Sequence, residues 1–154
     1  MTRLTVELVP DTCWYTNVRS NVTRAEWEKC KRFVKKRSGE RCEICGGRGS
    51  RYPVDCHEVW SYDNLVQRLE GLIALCPRCH EVKHLGRAEA TGNLERAVTH
   101  LQRVNGWDDD TTYEYVVAAF ARWRYRSQFR WTLDISWLET LGIDPDANPN
   151  VVTR

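Results

Sequence analysis

The sequence predicts an α+β fold in which a small strand–strand–helix module lies between α-helices. Residues 54–60 and 67–75 both have the composition of β-strands, and the polar residues between them can turn the chain. Pro77 then suits the first turn of a short helix. Two CxxC pairs flank the two strands, and their members are Cys42, Cys45, Cys76 and Cys79.

These four cysteines have the spacing of a structural metal site. Each CxxC pair can form a tight turn that presents two thiolates to the same ion. Four thiolates suit tetrahedral Zn²⁺, with Zn–S distances of ~2.3 Å and no coordination position left open. CxxC pairs in a chain whose N-terminus lacks the apolar core of a signal peptide favour metal binding in a reducing compartment. The sequence therefore predicts a structural Zn²⁺ and a cytoplasmic protein.

The composition is that of a soluble globular protein, with 42% hydrophobic and 29% charged residues. No segment approaches the ~18 continuous apolar residues of a membrane span. A net charge of +2 is too small to indicate nucleic-acid binding, but basic residues concentrate in 24–41 and 122–130. Such runs are either solvated helix faces or contacts to phosphate. The residues that we expect to contact nucleic acid are Lys31, Lys35, Lys36, Arg122, Arg126 and Arg130.

The N-terminal part, residues 1–39, is expected to contain a short strand, an irregular stretch and a basic helix. Residues 4–8 alternate between apolar and polar, as in a strand. Thr23 and Glu26 form a capping box ahead of a helix that should end before Gly39. Two aromatic residues of the irregular stretch are candidates for contact with a partner: Trp14 and Tyr15.

The central module spans residues 40–86, because Gly86 can end the helix that carries the second cysteine pair. The chain is expected to finish in a disordered tail, residues 144–154, since this segment is rich in Asp, Asn and Pro.

A C-terminal helical extension is expected between the module and the tail, over residues 87–143. Apolar residues with helical period end at Gly106, which favours one helix there. A capping box at Thr111 indicates a second helix, running to about Arg130. Residues 131–138 alternate like a strand, but they could also prolong that helix.

Three of the four histidines belong to the central module, and they are His57, His80 and His84. On a helix, His80 and His84 lie on one face one turn apart, so that two imidazoles can share an ion. His57, on the facing strand, would complete a three-ligand site with positions left for phosphate and water. That is the layout of a catalytic metal, which can polarise a phosphate oxygen and stabilise a departing 3′ oxygen.

The His57-Glu58 pair and the Cys79-His80-x-x-x-His84 helix resemble the core of the HNH endonucleases, also called ββα-metal or His-Me finger enzymes. The resemblance is to the type braced by a four-cysteine zinc, and it covers the central module. It implies an α+β, zinc-braced, HNH-like ββα-metal module with flanking helices. It also implies an endonuclease that hydrolyses DNA phosphodiester bonds, with RNA not excluded. The second divalent metal that it implies is Mg²⁺, Mn²⁺, Ni²⁺ or Zn²⁺.

The resemblance leaves two assignments open for the catalytic base. In the first, His57 binds the metal with the two helical histidines, and Glu58 takes a proton from the attacking water. Glutamate, with an unperturbed pKa of ~4.3, is a weaker base than imidazole unless burial raises its pKa. In the second, His57 is the base, and Cys56 or Asp55 joins the metal.

Two other functions remain open at the level of the sequence. The family's asparagine, which helps to orient the base, falls on Gly71. A catalytically weak or inactive zinc-containing module that binds nucleic acid is therefore the second candidate function. A third is a tryptophan-rich scaffold for protein contacts.

Overall fold

The computed structural model describes residues 3–13 and 16–147. Within these ranges the chain has a mixed α+β architecture, with one three-stranded sheet, five α-helices and several short 3-10 helices. Trp14, Tyr15 and the end of the expected tail, 148–154, lie outside the described residues. Among the helices described, none has both the length and the apolar character needed to cross a membrane.

An antiparallel hairpin forms the centre of the fold. Strand β1 (Asp55–Asp63) pairs with strand β2 (Val66–Leu75). The turn is shorter than the polar stretch between the two predicted strands, because β1 continues to Asp63 and Asn64 and Leu65 alone turn the chain. Both have positive φ, 48° and 61°, as in the two-residue turns that match the twist of a hairpin.

Helix α1 (Arg24–Ser38) has the ends that the sequence predicts. The Thr23 hydroxyl accepts a hydrogen bond from the Glu26 amide, and the Glu26 carboxylate accepts one from the Thr23 amide. Gly39 ends the helix at a φ of 62°, in the left-handed region. The helix is therefore capped by local sequence at both ends.

The helix after the second cysteine pair is shorter than expected. Helix α2 (Pro77–Lys83) ends at His84, whose φ of −104° and ψ of 52° are not helical. A separate helix, α3 (Leu85–Ala90), begins at once, so Gly86 lies inside α3 and does not end α2. Helix α3 buries its own apolar residues, Leu85 and Ala88.

Both helices expected in the C-terminal extension are present, but the second begins and ends earlier than predicted. Helix α4 (Leu94–Asn105) ends at Gly106 as predicted. Helix α5 (Asp109–Arg126) is capped by Asp108, whose side chain accepts from the Thr111 amide, so it begins before the capping box expected at Thr111. It also ends before Arg130, because the following residues turn away.

The segment 131–138, which could have been a strand or part of a helix, contains a short strand. Strand β3 (Thr132–Asp134) pairs in parallel with β2, and a 3-10 helix (Ser136–Leu141) follows. The expected disordered tail differs over its first residues, since Pro145–Ala147 form a 3-10 turn with Pro145 buried.

The N-terminal segment is extended but is not a strand, which corrects the prediction for residues 4–8. Its amides bond to side chains and a helix end instead of a ladder. The Leu4 amide donates to Asn105 Oδ1 at 3.0 Å, and the Val6 amide donates to the Tyr115 hydroxyl at 2.9 Å. Leu4 and Val6 are buried, so the segment forms part of the core.

The hairpin separates two clusters of buried residues. Helix α1 packs on one side, where Cys30 and Val34 join Cys56 and Leu72. The N-terminal segment, α2 and α4 form the other cluster, which includes Leu75 and is completed by Val82, Leu85 and Leu101. Because successive residues of a strand project to opposite faces, each face of β1 carries a different set of side chains.

Candidate metal centres

The four cysteines converge beside the start of α2. Their Sγ atoms all lie within 4.8 Å of one another, and the sulfurs of Cys45 and Cys76 are 3.6 Å apart. A tetrahedron with Zn–S distances of ~2.3 Å has edges of about 3.8 Å. The cluster, whose cysteines form no disulfide, is therefore compatible with a structural Zn²⁺.

Backbone amides point at these sulfurs. The Gly47 amide donates to Cys45 Sγ at 3.3 Å, and the Cys45 and Cys79 amides donate to Cys42 Sγ and Cys76 Sγ at 3.5 Å. Donors of this kind stabilise the thiolate form that binds a metal.

A buried histidine on α4 extends the cysteine site. His100 Nε2 lies 3.2 Å from Cys79 Sγ, and its Nδ1 lies 3.0 Å from Arg103 Nη2. Arginine only donates, so Nδ1 accepts and Nε2 carries the proton that points to the sulfur. Burial and the charge of Arg103 lower the pKa of His100, which keeps the ring neutral.

The three histidines of the module also converge. One ring nitrogen from each lies within 4.8 Å of the others, and Nε2 of His80 and Nε2 of His84 are 3.2 Å apart. The ring centroid of His57 lies 5.2 Å and 5.1 Å from theirs. Nitrogens bound to zinc at ~2.0–2.1 Å in tetrahedral geometry are about 3.3 Å apart. These three nitrogens are therefore a group that could hold a metal ion.

Glu7, from the N-terminal segment, contacts His57. One carboxylate oxygen, Oε2, lies 3.3 Å from His57 Nε2, and the other accepts from Lys83 Nζ at 2.8 Å. Burial acts to raise the pKa of Glu7, but the hydrogen bond from His57 and the charge of Lys83 outweigh it and lower the pKa to about 2. His57 Nδ1 is buried without a hydrogen-bond partner among the described residues, as is typical of a nitrogen that an ion satisfies.

Asp55 has the corresponding role at His80. Its Oδ2 lies 2.9 Å from His80 Nδ1. A carboxylate that accepts the Nδ1–H of a histidine leaves the Nε2 lone pair for a metal, and Nε2 is the atom that faces His84. Burial, and then the charges of His57 and His80, lower the pKa of His84 to about 3. His84 is thus neutral, as a ligand must be.

Glu58 lies apart from the histidines, which corrects the expectation that it acts beside them. Its Oε1 accepts from the Val18 amide at 3.3 Å, and its charge raises the pKa values of Cys30 and Cys56 after the larger effect of their burial. Glu58 therefore shares the α1 face of the sheet with Cys56, opposite His57. The alternative of Cys56 as a metal ligand fails for the same reason.

The residues expected to contact nucleic acid lie in three separate places. Three lysines belong to α1, on the face opposite the histidines: Lys31, Lys35 and Lys36. Arg122 and Arg126 instead line a cavity of about 140 Å³ together with Glu7. Arg130 is exposed beyond the end of α5 and does not continue their row.

A cleft opens beside the histidines. Its volume is about 360 Å³, and its lining includes Asp55, His80, His84, Tyr52 and Arg87. Tyr52 and Arg87 are exposed, so solvent reaches His80 and His84 from this side, whereas His57 is buried behind them.

Three residues of the two sites are not predicted from the sequence: Glu7, Lys83 and His100. Lys83 differs from the other two because it lies in the motif helix itself, but it is buried, which is rare for a lysine. Glu7 and His100 are brought to the two sites by folding from 50 and 21 residues away. No local spacing signals such contacts.

No family model, curated protein or solved structure matches the chain. The mixed α+β fold and the cysteine cluster are therefore known from the structure alone. The resemblance to HNH enzymes depends on the sequence motif that contains His57, His80 and His84.

Proposed function

We propose that the protein is a metal-dependent endonuclease of the HNH type that hydrolyses phosphodiester bonds in DNA. The observation that carries the proposal is the convergence of His57, His80 and His84 beside a cleft that His80 and His84 line. The same three residues form the histidine part of the motif. Three nitrogen ligands leave coordination positions open, as in catalytic metal sites and unlike the four-cysteine site.

The partners of the histidines support a metal-binding role. Glu7 contacts His57 and Asp55 contacts His80, each through a carboxylate oxygen and a ring nitrogen. Carboxylates in this position fix the tautomer and the orientation of a metal-binding histidine and increase its basicity. Histidines that only face solvent on a helix need no such partners, and here two of the three histidines have one.

The cleft offers a place for the phosphodiester. Arg87 lines it and contributes a positive charge near His84. The divalent ion would supply Lewis-acid polarisation of a phosphate oxygen and stabilisation of the leaving oxygen. The chain's own residues would hold that ion in place and attract the phosphate to the open side of the histidines.

The position of Glu58 favours the second candidate function, a zinc-containing module that binds nucleic acid with weak or no catalytic activity. Two carboxylates line the described cleft, Asp55 and Glu81. Asp55 is hydrogen-bonded to His80, and Glu81 forms an ion pair with Arg96. Neither is free to take a proton from water, and Glu58 lies on the other face. A module that binds nucleic acid and cuts it slowly, or not at all, is therefore the alternative.

A nicking assay separates these functions. Zinc-loaded protein is incubated with supercoiled plasmid and Mg²⁺, Mn²⁺, Ni²⁺ or Zn²⁺, beside His80→Ala and His84→Ala. We expect both variants to lose more than about 100-fold in nicking rate, since even outer partners of metal ligands are worth about 10–100-fold. Wild-type protein that shifts DNA in a gel without nicking it would establish the binding module. Wild-type protein that does neither would refute both proposals.

A further inference from the structure

A second concave site adjoins the histidines. It is the cavity of about 140 Å³ between the N-terminal segment, β1 and α5, and it is lined by Arg122, Arg126, Tyr62 and Glu7 among others. Glu7 is the link between the two places, because it lines this cavity and also contacts His57. Whatever occupies the cavity is therefore close to the proposed metal ligands.

The charge of this cavity is positive. Arg122 and Arg126 lie one turn apart on α5, and neither forms an ion pair with a carboxylate within residues 3–13 and 16–147. The charge of Glu7 is already balanced by Lys83, whose Nζ lies 2.8 Å from its carboxylate. Two cations thus face the cavity without compensation.

Arg126 is held in a defined position. Its guanidinium lies 4.7 Å from the centroid of the Tyr62 ring, an arrangement in which the cation is attracted to the ring face. Burial, and then repulsion from Arg122, lower the pKa of Arg126. Arg122 and Arg126 bring two positive charges to one face of α5, where they repel each other, and an anion bound between them would relieve that repulsion.

We propose that this cavity is a phosphate subsite, which holds a backbone phosphate of the nucleic-acid strand whose neighbouring linkage lies at the histidines. Planar guanidinium groups suit phosphate because they donate two parallel hydrogen bonds. The assignment to nucleic acid rests on the proposed function. The affinity for a phosphate group rests on the arginine pair alone, so free phosphate and the DNA backbone must be tested separately.

The test compares two double variants that remove the same charge. Arg122→Gln/Arg126→Gln empties the cavity of cations, and Arg19→Gln/Arg124→Gln removes two exposed cations outside it. Binding of zinc-loaded protein to a short duplex is followed by fluorescence anisotropy as the salt concentration varies. A lost phosphate contact lowers the slope of log K against log salt by about 0.9. We expect that change in the first variant only.

Two further arms keep the test decisive. Arg126→Lys retains the charge and most of the stem, so it should keep the wild-type slope if the variant effect is electrostatic and not a folding defect. Melting temperatures in inorganic phosphate and in chloride at equal ionic strength report the affinity for free phosphate. Phosphate should stabilise the wild type and the Arg19→Gln/Arg124→Gln variant by more than the variant without the pair, because the general effect of phosphate on folded proteins is common to all three.

Each result decides the proposal. An unchanged salt slope in Arg122→Gln/Arg126→Gln, with stabilisation by phosphate that depends on the pair, would replace the backbone subsite by a site for free anions. An unchanged slope without such stabilisation would overturn the subsite. If the wild type neither nicks nor binds DNA, the endonuclease proposal and the backbone assignment fail together, and pair-dependent stabilisation by phosphate would leave only the anion site.

Discussion

Glu7 Oε2 lies 3.3 Å from His57 Nε2, although the two residues are 50 positions apart in the chain. The contact makes the N-terminal segment part of the histidine site. It also joins His57 to the buried Lys83, which holds the other oxygen of the same carboxylate. Lys83, Glu7 and His57 therefore form a hydrogen-bonded chain, and this chain fixes the orientation of the His57 ring.

A matched pair of substitutions tests which glutamate serves the site. Glu7→Gln should lower the nicking rate by about 10-fold or more, because an outer partner of a metal ligand is typically worth about 10–100-fold. Glu58→Gln makes the same change on the opposite face of β1 and should leave the rate nearly unchanged. Initial rates at saturating divalent metal measure both. The reverse order of effects would restore Glu58 as the base.

The carboxyl pKa of Glu7 should depend on Lys83. The pKa is lowered from 4.5 to about 2 in the folded protein, so the stabilisation that this carboxylate provides is present above 4.5 and is lost as the pH falls towards 2. Carbon-13 NMR between about pH 7 and pH 4 should find Glu7 ionised throughout. In Lys83→Met, protonation should begin at a higher pH. A wild-type midpoint near the ordinary value would contradict the ion pair.

Loss of the cysteine-bound zinc should unfold the centre of the protein. Structural zinc in small modules is worth on the order of 10 kcal/mol of apparent binding free energy, which is also folding free energy. Cys42→Ser should therefore abolish cooperative thermal unfolding and reduce the zinc content. Cys13→Ala, at a buried cysteine outside the cluster, should cost only about 1 kcal/mol. Equal melting temperatures for the two variants would count against a structural zinc.

His100 should strengthen zinc binding without being a ligand. Its Nε2–H points to Cys79 Sγ at 3.2 Å, and we expect His100→Ala to weaken zinc binding by about 10–100-fold. Gln102→Ala, on the same helix but outside the site, is the control. Competition with a chromophoric chelator measures both. Equal zinc affinities would show that the contact is packing alone.

Local signals in the sequence predicted much of this fold. The capping box at Thr23 and the glycine at 39 set the ends of α1, because both act within a few residues. The CxxC pairs predicted the cysteine cluster for the same reason. The helical spacing of His80 and His84 placed two imidazoles together before any tertiary contact was known.

Contacts between distant segments could not be predicted in this way. The apolar–polar alternation of residues 4–8 is equally typical of a strand and of an extended segment that packs on helices, and only tertiary contacts distinguish them. Glu7 and His100 carry no local signal of their partners. Glu58 is different, because strand alternation alone places it opposite His57. For Glu58 the period of two along a strand is therefore a better predictor than the register of the HNH motif.

The central claim is that His57, His80 and His84 bind one divalent ion. Zinc-loaded protein titrated with Mn²⁺ or Ni²⁺ in a calorimeter, with elemental analysis of the product, tests it most directly. The account predicts one further ion per chain for the wild type and none for His80→Ala, with the cysteine-bound zinc retained in both. A wild type that binds no further ion, or a His80→Ala variant that binds it equally well, would contradict the account.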